Sequence, residues 1–158
     1  MIYIFDLDLT IWETNDKNGN QIWAKQLVPP FDLSGDKIVD DVFSECILKK
    51  GIVDYLNYLR RKGHELGFIT SAKYTGLPFD LQPSLLVLKR FNLLDIFDFC
   101  QVIEYKDFDK SNFLKKIKKE IVFYDDSDEH LNSVAHLENI RAVDSKRISD
   151  WTKLINKS

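Results

Sequence analysis

Apolar residues along this chain follow two spacings that take turns. Short, nearly unbroken apolar runs occur at Ile2-Tyr3-Ile4-Phe5, His64 to Ile69, Phe99 to Ile103, Ile121-Val122-Phe123-Tyr124 and Ile140 to Val143. Runs of this length and continuity read as strands covered on both faces. Between them the apolar positions recur every three or four residues. Ile52, Tyr55, Leu56 and Leu59 form one such stripe before Gly63, and Leu85, Leu86, Leu88 and Phe91 form another after Pro83. Phe113, Leu114 and Ile117 form a third, with Lys115, Lys116, Lys118 and Lys119 on the solvated side. Glycine just past a stripe and proline at its start are the helix stop and start signals. Strands that alternate with helices predict parallel pairing through right-handed crossovers, and hence a three-layer α/β sandwich. Trp151 is expected to pack a C-terminal helix.

The stretch from about 13 to 45 breaks the rhythm. It contains the turn dipeptide Asn18-Gly19, the pair Pro29-Pro30 and the isolated aromatics Trp23 and Phe31. A connection of that length without clear periodicity predicts a flap or small hairpin over the end of the first strand. The expected organisation is a single domain over 1–158 carrying this insertion, since 158 residues suit one well-cored unit.

Composition narrows the partners. A formal charge of -3 gives no general attraction to nucleic acid or to an anionic membrane surface, so a small solute is the first expectation for a partner. Cys46 and Cys100 are the only cysteines and are far apart, which indicates neither a disulfide framework nor a cysteine zinc site and fits a reducing, cytoplasmic setting. His64, His130 and His136 lack zinc-site spacing. Asp6 and Asp8 interrupt the first apolar run, so neither a signal peptide nor a membrane span is expected.

The chemistry is concentrated at strand ends, where open α/β sheets bind ligands. Asp6 and Asp8 follow the first strand, Thr70-Ser71 the second and Asp125-Asp126 the fourth, while Lys110 opens the helix before the fourth strand. Alternation along an extended segment points Asp6 and Asp8 the same way, where two like charges 4 Å apart repel by roughly 4 kcal/mol at an effective dielectric near 20. A bound divalent cation or a shared proton removes that penalty. A carboxylate-rich, oxygen-only site suits Mg²⁺ shared with a phosphate. Asp6 is then placed to attack phosphorus, Asp8 to carry the proton, and Thr70 or Ser71 with Lys110 to neutralise the transferring oxygens. Lys106 also precedes the fourth strand, and Lys110 is preferred because Asp109-Lys110-Ser111 has the form of a helix start.

Asp6-Leu7-Asp8-Leu9-Thr10, Thr70, Lys110 and Asp125-Asp126 together resemble the four ordered motifs of the haloacid dehalogenase superfamily of phosphotransferases. Phe5 to Trp12 and Phe123-Tyr124-Asp125-Asp126 are most similar to its small magnesium-dependent phosphatases. The resemblance spans essentially the whole chain. It implies a Rossmann-like sheet of order 5-4-1-2-3 with minimal or no cap, and a phosphomonoester hydrolase that passes through an aspartyl phosphate, whose open site would admit a phosphorylated protein as well as a small sugar or nucleotide phosphate. It also implies that Asp6 is nucleophile and metal ligand, that Asp8 is acid/base and offers its backbone carbonyl to Mg²⁺, and that Asp126 is the third protein ligand with Asp125 behind it. The phosphate-binding set becomes Leu7, Asp8, Thr70, Ser71 and Lys110. His130 departs from the pattern, because relatives often place Asp or Asn four residues after the position of Asp126.

Two other classes use similar parts. A receiver domain has acidic Mg²⁺ ligands, a phosphoacceptor Asp, a Thr/Ser and a Lys, but its contiguous acidic pair comes first and here it comes late. A non-catalytic phosphate- or metal-binding protein on the same fold would need a lost catalytic residue, and none is lost from this set.

Overall fold

The computed structural model describes residues 1–71, 77–103 and 109–157, apart from the side chains of 156 and 157. The chain is an α/β protein built on a five-stranded parallel sheet with helices. In chain order the strands of this sheet are β1 (Ile2–Phe5), β7 (Glu65–Ser71), β8 (Phe99–Ile103), β9 (Ile121–Asp125) and β10 (Ile140–Asp144). Across the sheet they lie β10-β9-β1-β7-β8. Every residue of the central β1 and of its neighbour β9 is buried, whereas β10 at one edge exposes Arg141 and Ala142. Continuous apolar runs therefore mark the centre and diluted ones the edges, as a sheet covered on both faces requires.

Alternation along β1 divides the core. Tyr3 and Phe5 join Leu66, Phe68 and Tyr124 in a cluster completed by α1 (Ile52–Arg61), α2 (Pro83–Arg90) and Trp151. Ile2 and Ile4 join Ile69, Ile121 and Phe123 in a second cluster with Leu114 of α3 (Lys110–Leu114) and Val134 of α4 (Asp128–Val134). Odd and even positions of one strand thus bury side chains in different clusters. Between β7 and β8 the approach is tight at Gly67, where a Cβ would lie 2.3 Å from the Phe99 ring. Trp151 packs as expected, fully buried at the start of a 3₁₀ segment, Trp151–Lys157, that lies against α1.

The insertion is more regular than its sequence pattern suggests. In place of a simple flap or hairpin, β2 (Trp12–Asn15), β3 (Gln21–Ile22), β4 (Asp32–Ser34), β5 (Lys37–Val39) and β6 (Glu45–Leu48) form an antiparallel sheet of order β3-β2-β6-β5-β4. Trp12, Ala24, Leu27, Ile38 and Cys46 carry its inner face into the first core cluster. Burial pushes the Cys46 thiol up to about 12, so it is a packed, inert group. Among the described residues no helix is long and apolar enough to cross a membrane.

Candidate active site

The carboxyl ends of β1, β7 and β9 open on one cleft of about 380 Å³. Asp6, Asp8, Thr70, Ser71 and Asp126 all line it. Asp6 follows the last residue of β1, and its backbone N–H donates to the Tyr124 carbonyl at 2.9 Å, which ties the start of the loop to β9. The chain then turns sharply: the N–H groups of Thr10 and Ile11 both donate to the Leu7 carbonyl, and Leu9 sits at φ 62. A left-handed leucine costs about 1–2 kcal/mol and persists because its neighbours Leu7, Thr10 and Ile11 are buried.

That turn corrects the simple alternation argument. The strand stops at Phe5, so Asp6 and Asp8 reach the cleft from a loop and meet different partners. Lys110, 1% exposed, donates from Nζ to Asp6 Oδ1 at 2.9 Å and to Asp125 Oδ2 at 2.6 Å. Asp8 Oδ1 instead accepts from Trp12 Nε1 at 3.0 Å and from the backbone N–H of Ala24 in the insertion at 2.8 Å. Lys106, the other lysine considered for this position, lies outside the described residues.

Asp125 is the last residue of β9 and is fully buried. Its Oδ1 accepts from the Ser127 N–H at 2.9 Å, and its Oδ2 meets both Lys110 and, at 3.1 Å, His130 Nδ1. The cap of α4 is Ser127, whose side chain accepts from the His130 N–H, so Asp125 and Asp126 are not spent on helix capping. Asp109 caps α3 in the same way and sets Lys110 on its first turn. Thr10 bridges the loop to the far side of the site: its hydroxyl is 2.8 Å from Ser145 Oγ and 3.4 Å from Asp6 Oδ2.

The electrostatics follow from this crowding. Burial holds the Asp6 carboxyl well above its ordinary pKa, opposed by Lys110 and reinforced by Asp125 and Asp126. Burial and Asp125 raise Asp126, while its contact with Asp6 pulls the other way. Asp125 goes down instead, because His130 and Lys110 together outweigh its burial. Burial disfavours the Lys110 ammonium, yet Asp6 and Asp125 more than offset that and raise its pKa. Asp8 is raised by burial against the hydrogen bonds from Ala24 and Trp12.

Ligand atoms of Asp6, Asp125 and Asp126 lie within 4.8 Å of one another. Such a set of hard oxygen donors, two of them held up in pKa by burial and by the neighbouring Asp125, is the donor chemistry that a small divalent cation fits. The Asp8 carboxylate stands outside this group. Residues that sequence patterning did not single out for the site also line the cleft: Lys25 from the insertion, and Ser127 and Glu129 near the start of α4. Trp23, one of the isolated aromatics of the insertion, is 40% exposed and lines it too, as does His130. Nothing local marks Lys25, because only the folding of the antiparallel sheet brings it over the strand ends. No family model matches the chain, and no curated protein matches it significantly.

Proposed function

We propose that the protein is a Mg²⁺-dependent phosphomonoester hydrolase of the haloacid dehalogenase type, with Asp6 as nucleophile and Asp8 as general acid/base. The observation that carries this reading is the Asp6–Lys110–Asp125 bridge beside Asp126, which gathers three of the motif positions around one nucleophile. Counted in chain order within the parallel sheet, the strand order reads 5-4-1-2-3, and core clusters joined by helices flank the sheet, which supports the Rossmann-like three-layer sandwich that the motifs imply.

Asp6 and Asp126 would hold the cation, with Asp125 and Lys110 fixing Asp6 from behind. Bound there, Mg²⁺ would supply charge neutralisation for the non-bridging phosphoryl oxygens. An Asp6 carboxylate oxygen attacks phosphorus, the P–O bond to the leaving group breaks, and Asp8 donates a proton to the departing alkoxide. Asp8 then takes a proton from water as that water attacks the aspartyl phosphate, the acyl P–O bond breaks, and inorganic phosphate leaves. Asp8 suits the first step because its raised pKa favours the protonated form, whereas a cation held by Asp6 and Asp126 would favour their ionised forms. Its hydrogen bonds to Trp12 and Ala24 hold the carboxyl in one orientation. Thr70 and Ser71 at the end of β7 would hydrogen-bond the transferring group, together with the backbone around Leu7.

Hydrolysis of a chromogenic phosphate ester tests this reading. Activity that requires Mg²⁺, disappears with chelator and is lost in Asp6→Asn is expected. Metal-independent hydrolysis, or full activity in Asp6→Asn, would count against it.

A further inference from the structure

The insertion does more than cover the first strand. Its short 3₁₀ turn, Ala24–Gln26, is fixed on the site at two points. The Ala24 N–H donates to Asp8 Oδ1 at 2.8 Å, and Lys25 Nζ reaches Ser71 Oγ at 3.4 Å, so the turn spans the cleft from the end of β1 to the end of β7. Trp23 precedes it, with its ring at the cleft wall. Lys110 is buried between two carboxylates, which leaves Lys25 as the one ammonium lining the cleft among the described residues.

The position relative to Asp8 decides what Lys25 can recognise. In the hydrolase reading, on which this inference rests, the leaving oxygen must lie at Asp8 to receive its proton. Groups carried by the carbon attached to that oxygen then pass beneath the turn that holds Lys25. We infer that Lys25, anchored at the cleft by Ser71, forms a leaving-group subsite selecting phosphate esters whose alcohol carries an anionic group, such as a carboxylate, close to the ester oxygen. A carboxylate there would meet the Lys25 ammonium in a charge-assisted hydrogen bond, with Trp23, the residue before the turn, also lining the cleft. Glu129 lines the cleft from α4 and would favour a cationic leaving group, so the two rims make opposite demands. Lys25 is the better placed, because the turn that carries it contacts Asp8 directly.

Three esters of the same carbon skeleton separate these outcomes: 2-phosphoglycolate, ethyl phosphate and phosphoethanolamine. Their kcat/KM values in Mg²⁺ are expected to fall in that order, with about a tenfold step between the first two, the scale of one charge-assisted hydrogen bond. In Lys25→Met and in Lys25→Gln that step collapses toward one, whereas Lys25→Arg keeps most of it; melting curves confirm that each variant is folded. Equal wild-type rates on all three esters, a preference for phosphoethanolamine, or a step that survives both neutral substitutions would overturn the subsite and leave the hydrolase reading intact. Resistance of all three esters and of the chromogenic ester would remove both.

Discussion

Lys110→Met keeps the unbranched shape and most of the length of a side chain that is 1% exposed while deleting its charge. The ammonium lies 2.9 Å from Asp6 and 2.6 Å from Asp125, so each contact carries about 6 kcal/mol of gross attraction at an effective dielectric near 20. Desolvation of the three groups offsets most of that in the folded protein. Removing one partner leaves two carboxylates facing each other without their counter-charge, and the cost expected is about 3–5 kcal/mol at neutral pH. The pH dependence has a defined sign. Asp125 is held below its ordinary value, so its contribution is present above about pH 4 and is lost as pH falls through its folded pKa. Lys110 is raised, so its contribution is complete below about pH 10 and fades as pH rises through its folded pKa. The gap between wild type and variant is therefore widest on the alkaline side of neutrality up to about pH 10, and it closes as pH falls, because Asp6, already held above its ordinary value, and Asp125 take up protons once their counter-charge is gone. Urea denaturation in chelator, followed by the fluorescence of buried Trp12 and Trp151, measures it. A loss under about 1 kcal/mol at neutral pH would mean that solvent screens the bridge, and the same loss at pH 3 would mean that packing, not charge, sets it; either would refute the reasoning.

Saturating Mg²⁺, at about a hundred times its dissociation constant, should stabilise the chelated wild type by about 2.7 kcal/mol, and Asp126→Asn should lose most of that gain in the same melts. Ca²⁺ and Mg²⁺ leaving both proteins unchanged would contradict the assignment of Asp126 as a ligand. Trp12→Phe retains the buried ring but removes the indole donor to Asp8, and should lower stability by about 1–2 kcal/mol together with kcat; a silent substitution would show that Asp8 needs no such support. Gly67→Ala pushes a methyl into the Phe99 ring and should cost about 1–3 kcal/mol, part of it recovered by a companion Phe99→Leu change. Equal denaturation midpoints for wild type and Gly67→Ala would show that β7 and β8 part easily.

Much of the parallel sheet is legible in the sequence because strands buried on both faces must be apolar at successive positions, as Ile2 to Phe5 and Ile121 to Tyr124 are. The placement of Asp6, Thr70, Ser71, Asp125 and Asp126 follows from the same rule, since polar residues at the end of such a run have to emerge at the edge of the sheet. The antiparallel sheet was not legible. Its strands run two to four residues, too short for a period of two to register: β3 and β4 bury no residue, and β5 and β6 bury one each, Ile38 and Cys46. Asp8 shows a second limit: alternation holds only while the chain is extended, and the turn at Leu9 hands its carboxylate to Trp12 and Ala24. Lys25, His130 and Ser145 reach the site through tertiary folding, and ordinary surface residues carry the same local signals.

In the proposed hydrolase mechanism Asp6 becomes phosphorylated and is then released by water. Acid-quenching the protein during turnover of a radiolabelled phosphate ester in Mg²⁺ reads this directly. Label on the peptide containing Asp6, discharged by hydroxylamine as an acyl phosphate must be, is the predicted result. Steady turnover with no label on that peptide, or with label retained in Asp6→Asn, would contradict the account.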